Sequence, residues 1–181
     1  MKDINKIIGE MITHIPLCTH KDPKDIIIID NFNIVKSQIS QYNIKNIYYK
    51  TFEELLSTEF NTIDIIIINQ RSPLDNQSIS NIYNILKEDG LIIFQTDNFD
   101  DQNSKLINDL QLVNKFWIAM PTIFENQIFI LASKKYHPQA DIILQRSDFL
   151  NDLYYYNSDI QKASFTMPTY IKKRLLGISK N

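Results

Sequence analysis

Ile63-Asp64-Ile65-Ile66-Ile67-Ile68-Asn69-Gln70-Arg71-Ser72-Pro73 joins an unbroken apolar run to a polar loop in a single step. Four consecutive isoleucines cannot alternate between a buried and a solvated face. Both faces of this strand must therefore be covered, which is the habit of parallel strands sandwiched between helices. Ile26 to Ile29 repeats the pattern and gives a second core strand. In open sheets of this kind ligands bind beyond the carboxyl ends of the strands, so Asn69 to Pro73 stands where catalytic groups would be kept.

The rest of the chain falls into place around these two strands. Ile4, Ile7, Ile8, Met11, Ile12 and Ile15 recur at helical spacing, and Pro16 is expected to end that helix. Ile34 to Tyr42 reads as a helix, Ile47 to Tyr49 as a short strand and Phe52 to Leu56 as a short helix. From Asp75 the spacing of Ile79, Ile82, Ile85 and Leu86 predicts a helix, with Glu88-Asp89-Gly90 as the turn into a strand at Leu91 to Phe94. A helix around Lys105 to Val113 and strands at Phe116 to Ala119 and Gln127 to Ala132 follow, the late strands being expected to end the sheet antiparallel. The tail from Lys134 is short-helical and rich in tyrosine. The fold class is thus α/β: a Rossmann-like, class I methyltransferase-like, doubly wound, mostly parallel sheet with helices on both faces, in a single domain over residues 1–181.

Composition excludes several functions. The net charge of −2 offers no basic surface for nucleic acid, and 22% charged residues is too ordinary for disorder. No apolar run reaches the roughly 20 residues of a membrane helix, and Met1 to Glu10 lacks a signal-peptide core, so a cytoplasmic protein without membrane attachment is expected. Cys18 is the only cysteine and reads as a buried thiol. Three scattered glycines rule out a glycine-rich nucleotide loop. His14, His20 and His137 show no metal-ligand spacing, and no metal is implied.

Ala132-Ser133-Lys134-Lys135-Tyr136-His137-Pro138, then Ala140-Asp141, Tyr155-Tyr156-Asn157 and Ala163-Ser164-Phe165 with Pro168, resembles the tail signature of the polyamine aminopropyltransferases, of which spermidine synthase is the type. Glu10, Met11, His14, Pro16, Leu17, His20, Pro23 and Lys24 are similar to that family's lead into its first strand. The resemblance implies aminopropyl transfer from decarboxylated S-adenosylmethionine to putrescine or another polyamine. It also implies a preceding small β domain, which is expected to be missing from this protein, and its loss would open one wall of the pocket unless a partner supplies it.

Set against that family, the site residues have changed. The family's D-x-x-D-P loop falls on Asn69, Gln70, Arg71, Ser72 and Pro73, so amide and hydroxyl stand in the catalytic positions Asn69 and Ser72, and Arg71 would repel a diamine. Asp75 is close enough in sequence to replace the lost base, or is simply the cap of the next helix. The family's glycine-rich cofactor loop falls on Asp30, Asn31, Phe32, Asn33, Ile34 and Val35, leaving Asp30, Asn31 and Asn33 as the polar candidates for cofactor contact, and Phe32 or Ile34 is expected to fill the nucleoside space. The interval to Ile63 is short by one βα unit, that of the ribose-binding acid; Glu53 and Glu54 are the nearest replacements, or solvated helix acids. Pro121 and Thr122 match a substrate element whose next positions are Ile123 and Phe124, and Gln95 matches a substrate-contacting glutamine. Trp117 is expected in the core, Tyr154 to Tyr156 to pack the tail, and Lys172, Lys173 and Arg174 to form a solvated basic face. Three readings follow: a homologue with weakened or lost activity; a non-catalytic partner forming a homodimer or a heterodimer with a complete paralogue; and an active enzyme with a rebuilt site using Asp75 and Gln95.

Overall fold

The computed structural model describes residues 2–31, 33–71, 74–97 and 105–181. The isoleucine runs form β1 (Asp25–Asp30) and β3 (Ile63–Asn69), which pair in parallel from Ile26 with Ile65 to Asp30 with Asn69. Every isoleucine of both runs is at most 3 % exposed. Odd and even positions feed two separate cores: Ile27, Ile29, Ile66 and Ile68 pack on one side of the sheet, and Ile26, Ile28, Ile65 and Ile67 on the other. That division is the two-face cover that a run of isoleucine demands.

β2 (Asn46–Tyr49) lies outside β1, and β4 (Leu86–Thr96) pairs with β3 on its other side, both in parallel. β5 (Ile118–Phe124) and β6 (Gln127–Ser133) complete the order β2-β1-β3-β4-β6-β5, with antiparallel pairing from β4 onward. Glu125 and Asn126 both have positive φ, 46° and 63°, the backbone that a two-residue hairpin needs to follow the strand twist. Pro121 lies in β5, an edge strand, where its missing N–H costs no ladder bond to a further strand.

Helices α1 (Ile4–Thr19) and α2 (Ile34–Ile39) cover one face, and α3 (Phe52–Leu56), α4 (Asn76–Ile85) and α5 (Lys105–Leu112) the other. The tail adds α6 (Leu144–Asp148), α7 (Ser158–Ser164) and α8 (Thr169–Arg174), the last carrying Lys172, Lys173 and Arg174 in its final turn. No helix among the described residues is long and apolar enough to cross a membrane.

Several boundaries depart from expectation for tertiary reasons. Pro16 does not end α1, which runs one turn further. The carbonyls freed at its end are taken up by the tail: Ile143 N–H donates to Cys18 O, and the Arg146 guanidinium reaches Leu17 O, His20 O (2.7 Å) and Lys21 O (2.8 Å). β4 begins at Leu86, not Leu91, with an irregularity that leaves residues 87–90 out of register between the Ile63–Leu86 and Ile65–Leu91 pairs. The first late strand starts at Ile118, so Trp117 precedes it and is 76 % exposed, not core. α2 stops at Ile39, three residues short of Tyr42, whose hydroxyl is drawn to His14.

Gly9 explains how α1 and α2 meet. A Cβ there would stand 2.7 Å from the Ile34 carbonyl oxygen, a contact only glycine avoids.

Candidate active site

The register across β1, β3 and β4 sets three polar side chains in one row at the carboxyl ends of adjacent strands. Asp30 pairs with Asn69, and Gln95 stands one step beyond the Ile68–Phe94 pair. By strand alternation all three share the face that carries α1. Asn69 is 6 % exposed, and its Nδ2 donates to Asp30 Oδ1 at 3.0 Å. Asp30 Oδ2 accepts the Val35 N–H at 2.9 Å in the first turn of α2. The carboxylate of the row is thus engaged on both oxygens, and its neighbour on β3 is an amide without useful basicity.

The other predicted site residues are placed as follows. Asn33 takes a left-handed conformation, φ 54°, at the start of α2, a geometry that asparagine tolerates far better than most residues. It thereby supplies a turn that a glycine would otherwise make. Asn31 is an exposed turn residue. Asp75 is the N-cap of α4: Oδ1 accepts the Ser78 N–H at 2.7 Å while Ser78 Oγ accepts the Asp75 N–H at 2.9 Å. Those bonds to Ser78 hold its carboxyl below the usual aspartate range, so it is a cap and a poor base. Arg71 is paired with Asp97 at 2.7 Å, so its charge is matched locally by an acid that no sequence motif singles out. Asp97 lies two positions beyond Gln95, and that spacing is the signal that would have found it. Thr96 faces the opposite side and donates to Asp109 Oδ2 at 2.6 Å, an oxygen also held by Lys105. Ser72 and Phe32, both named in the sequence reading, lie outside the described residues.

Between α2 and α3 a groove of about 470 Å³ opens over Asp30, lined also by Ile28, Asn33, Lys36, Tyr49, Lys50, Thr51 and Glu54. Ile34 does not project into it. With Gly9 admitting α1 against its backbone, Ile34 packs into the α1-side core. Glu54 is no free ribose acid, since its carboxylate accepts the Thr51 N–H at 2.8 Å in the capping box of α3, and Glu53 is exposed. At the other expected substrate element, Thr122 Oγ1 donates to Ser164 Oγ at 2.8 Å in the interior and Phe124 stacks on Phe129, so both serve packing.

Two buried polar centres hold the wall behind this row. Glu10, fully buried, accepts the backbone N–H groups of Tyr154, Tyr155 and Tyr156 at 2.7–2.9 Å, seating the tyrosine run on α1. His14 Nε2 faces Gln38 Oε1 at 3.2 Å, an acceptor, so Nε2 carries the proton and Nδ1 accepts from Tyr42 Oη at 2.7 Å. Burial pushes the His14 pKa down to about 4, keeping this centre neutral. His137 accepts the N–H groups of Gln139 and Ala140 and shapes a turn.

No family model matches the chain. A polyamine aminopropyltransferase of Helicobacter acinonychis is 27% identical over 206 aligned residues, covering 96% of this chain and 78% of the relative. One from Thermoanaerobacter is 25% identical, covering 92% and 76%. Among solved structures, spermidine synthase from Thermotoga maritima superposes with a TM-score of 0.75 at 22% identity, over 94% of this chain and 74% of that one. A spermidine synthase bound to the transition-state analogue AdoDATO gives 0.76 at 21% identity, over 94% and 75%. A phosphoethanolamine N-methyltransferase from Haemonchus contortus gives 0.52 and shares the methyltransferase-like sheet. The tail signature, the sheet order and these relatives converge: over nearly its whole length the chain is similar to the polyamine aminopropyltransferases, and it shares the fold of spermidine synthase.

Proposed function

We propose that the chain is a spermidine synthase-like protein in which transfer of an aminopropyl group from decarboxylated S-adenosylmethionine to putrescine or a related amine is strongly weakened or lost. The observation that carries this is the Asn69–Asp30 pair. An attacking diamine nitrogen must lose its proton, and the position at the end of β3 offers it an amide that is itself donating to Asp30. Losing a general base typically costs roughly 10² to 10⁴ in rate. Asp75 is tied into the cap of α4 and faces Ser78 instead. On the co-substrate side, the groove over Asp30 has a volume within the roughly 300–1,000 Å³ usual for small-molecule sites, yet its acid Glu54 is already bonded to the backbone of Thr51. Nucleoside binding is accordingly weak.

The test is spermidine formation from putrescine and decarboxylated S-adenosylmethionine by purified protein. Turnover at least a hundredfold below that of a relative with both loop acids is expected. A rate of about 1 per second or more, ordinary for enzymes, would overturn the reading.

A second reading, a non-catalytic partner that pairs with itself or with a complete paralogue, is favoured by Trp117 just before β5 and Leu176 just after α8, 76 % and 85 % exposed. Sedimentation of the chain alone and mixed with such a paralogue tests it; a monomer in both cases removes it.

A further inference from the structure

At the opposite end of the sheet from the Asp30–Asn69–Gln95 row, three chain segments bring together His20, Asp64 and Asp89, with one possible ligand atom from each lying within 4.8 Å of the others. His20 follows α1, Asp64 lies near the start of β3 and Asp89 in the out-of-register part of β4. The spacing along the chain, 44 and 25 residues, resembles no metal motif, which is why the sequence alone implied none. The His20 side chain is 2 % exposed, and its Nε2 is buried with no hydrogen-bond partner. It is aimed at Asp89 Oδ1, 3.6 Å away and beyond hydrogen-bond reach. Leaving a buried polar atom without a partner costs folding free energy, so an orphan facing two carboxylates calls for an explanation.

We propose that His20 Nε2, Asp64 and Asp89 form a site for one first-row divalent cation of the zinc class, with water completing its coordination. One imidazole and two carboxylates are a donor set that zinc and its neighbours accept, whereas magnesium and calcium favour oxygen alone. The neighbourhood is acidic. Lys87 bonds Asp25 at 2.8 Å and Asp64 at 3.0 Å, so one ammonium is shared between these two carboxylates. Arg146, which also acts on His20, is occupied by backbone carbonyls. Asp64 Oδ2 already receives Lys24 N–H, Asp25 N–H and Lys87 Nζ, and no hydrogen bond reaches its Oδ1 among the described residues. Asp89 Oδ2 accepts the Tyr136 hydroxyl at 3.0 Å, an outer bond of the kind that orients a ligating carboxylate. The Asp89 side chain is 33 % exposed and gives the ion a way in.

Ligation at Nε2 requires the ring proton on Nδ1. The Asp22 N–H contact to Nδ1, 3.3 Å long, then gives way. No net proton is released from the ring. The site clamps the end of α1 to the starts of β3 and β4, far from the strand mouth, so its role is to stabilise the fold.

The experiment is calorimetric titration of the full chain, free of any affinity tag, with zinc chloride in a non-chelating buffer, with NMR of the histidine rings alongside. One ion per chain is expected, shifting the His20 signals ahead of those of His14 and His137, with affinity reduced at least tenfold in both His20→Gln and Asp89→Asn. Circular dichroism checks folding; Asp89 is partly exposed, so Asp89→Asn decides alone if His20→Gln does not fold. Absence of stoichiometric binding, or binding unchanged in Asp89→Asn, overturns the proposal.

Discussion

Asn69→Asp restores the acid that the family resemblance expects at the end of β3, yet the geometry makes it a damaging change. It replaces a donor by a second carboxylate about as far from Asp30 Oδ1 as Asn69 Nδ2 is now, 3.0 Å. Two unit charges at that separation repel by about 5.5 kcal/mol at an effective dielectric of 20, and by about 1.4 kcal/mol in bulk water. Asn69 is nearly buried and Asp30 half-buried, so the cost falls between these limits, at about 3 kcal/mol near pH 7. The folded variant relieves the repulsion by holding one proton between the two carboxyls more tightly than the unfolded chain does. Its deficit is therefore full above the raised folded value of the pair and shrinks as pH falls through it, to about half at pH 5 if the shift is about two units. Urea unfolding of wild type and variant at both pH values measures this, and a spermidine assay on the same samples should show no gain in rate. A variant as stable as wild type at pH 7, or a deficit indifferent to pH, would refute the Asp30–Asn69 pairing.

Gly9→Ala should cost about 1–3 kcal/mol in urea unfolding, because its methyl group meets the Ile34 carbonyl at 2.7 Å and α1 must move off α2; a neutral result removes that contact. Glu10→Gln leaves one acceptor oxygen for three tyrosine N–H groups that now share two, and should destabilise by about 2–5 kcal/mol, with early proteolysis of the tail after Leu153 as a second readout. His14, whose pKa burial lowers from 6.5 to about 4, binds its proton more weakly folded than unfolded. It should therefore contribute a loss of about 2 kcal/mol between pH 7 and pH 5, and an NMR titration of its ring with a midpoint near 6.5 would contradict its burial.

The parts of this fold legible in the sequence are those where a residue's chemistry leaves one solution. Unbroken isoleucine runs require cover on two faces, and both became adjacent parallel strands. Phe52–Leu56 and the Asp75 cap were readable because capping is local. What escaped was decided at long range. Pro16 signals a helix end, but Ile143 and Arg146, more than a hundred residues later, take up the carbonyls that would have been stranded, and the helix goes on. Trp117 has the composition of a core residue and is exposed, because the strand starts at Ile118, two residues later than its hydrophobicity suggests.

The candidate site divides the same way. That Asn69 stands where an acid was expected is a statement about one position; that it is hydrogen-bonded to Asp30 is a statement about register, and only the pairing of β1 with β3 supplies it. The consequence is mechanistic. A site that had merely lost its base would be repaired by returning one, whereas here the amide has become the partner of the neighbouring carboxylate, and the two positions must change together. Asn69→Asp combined with Asp30→Gly, which removes the second charge, is then the minimal change with a chance of presenting an available carboxylate at the end of β3, and it is the variant on which a search for recovered aminopropyl transfer should begin.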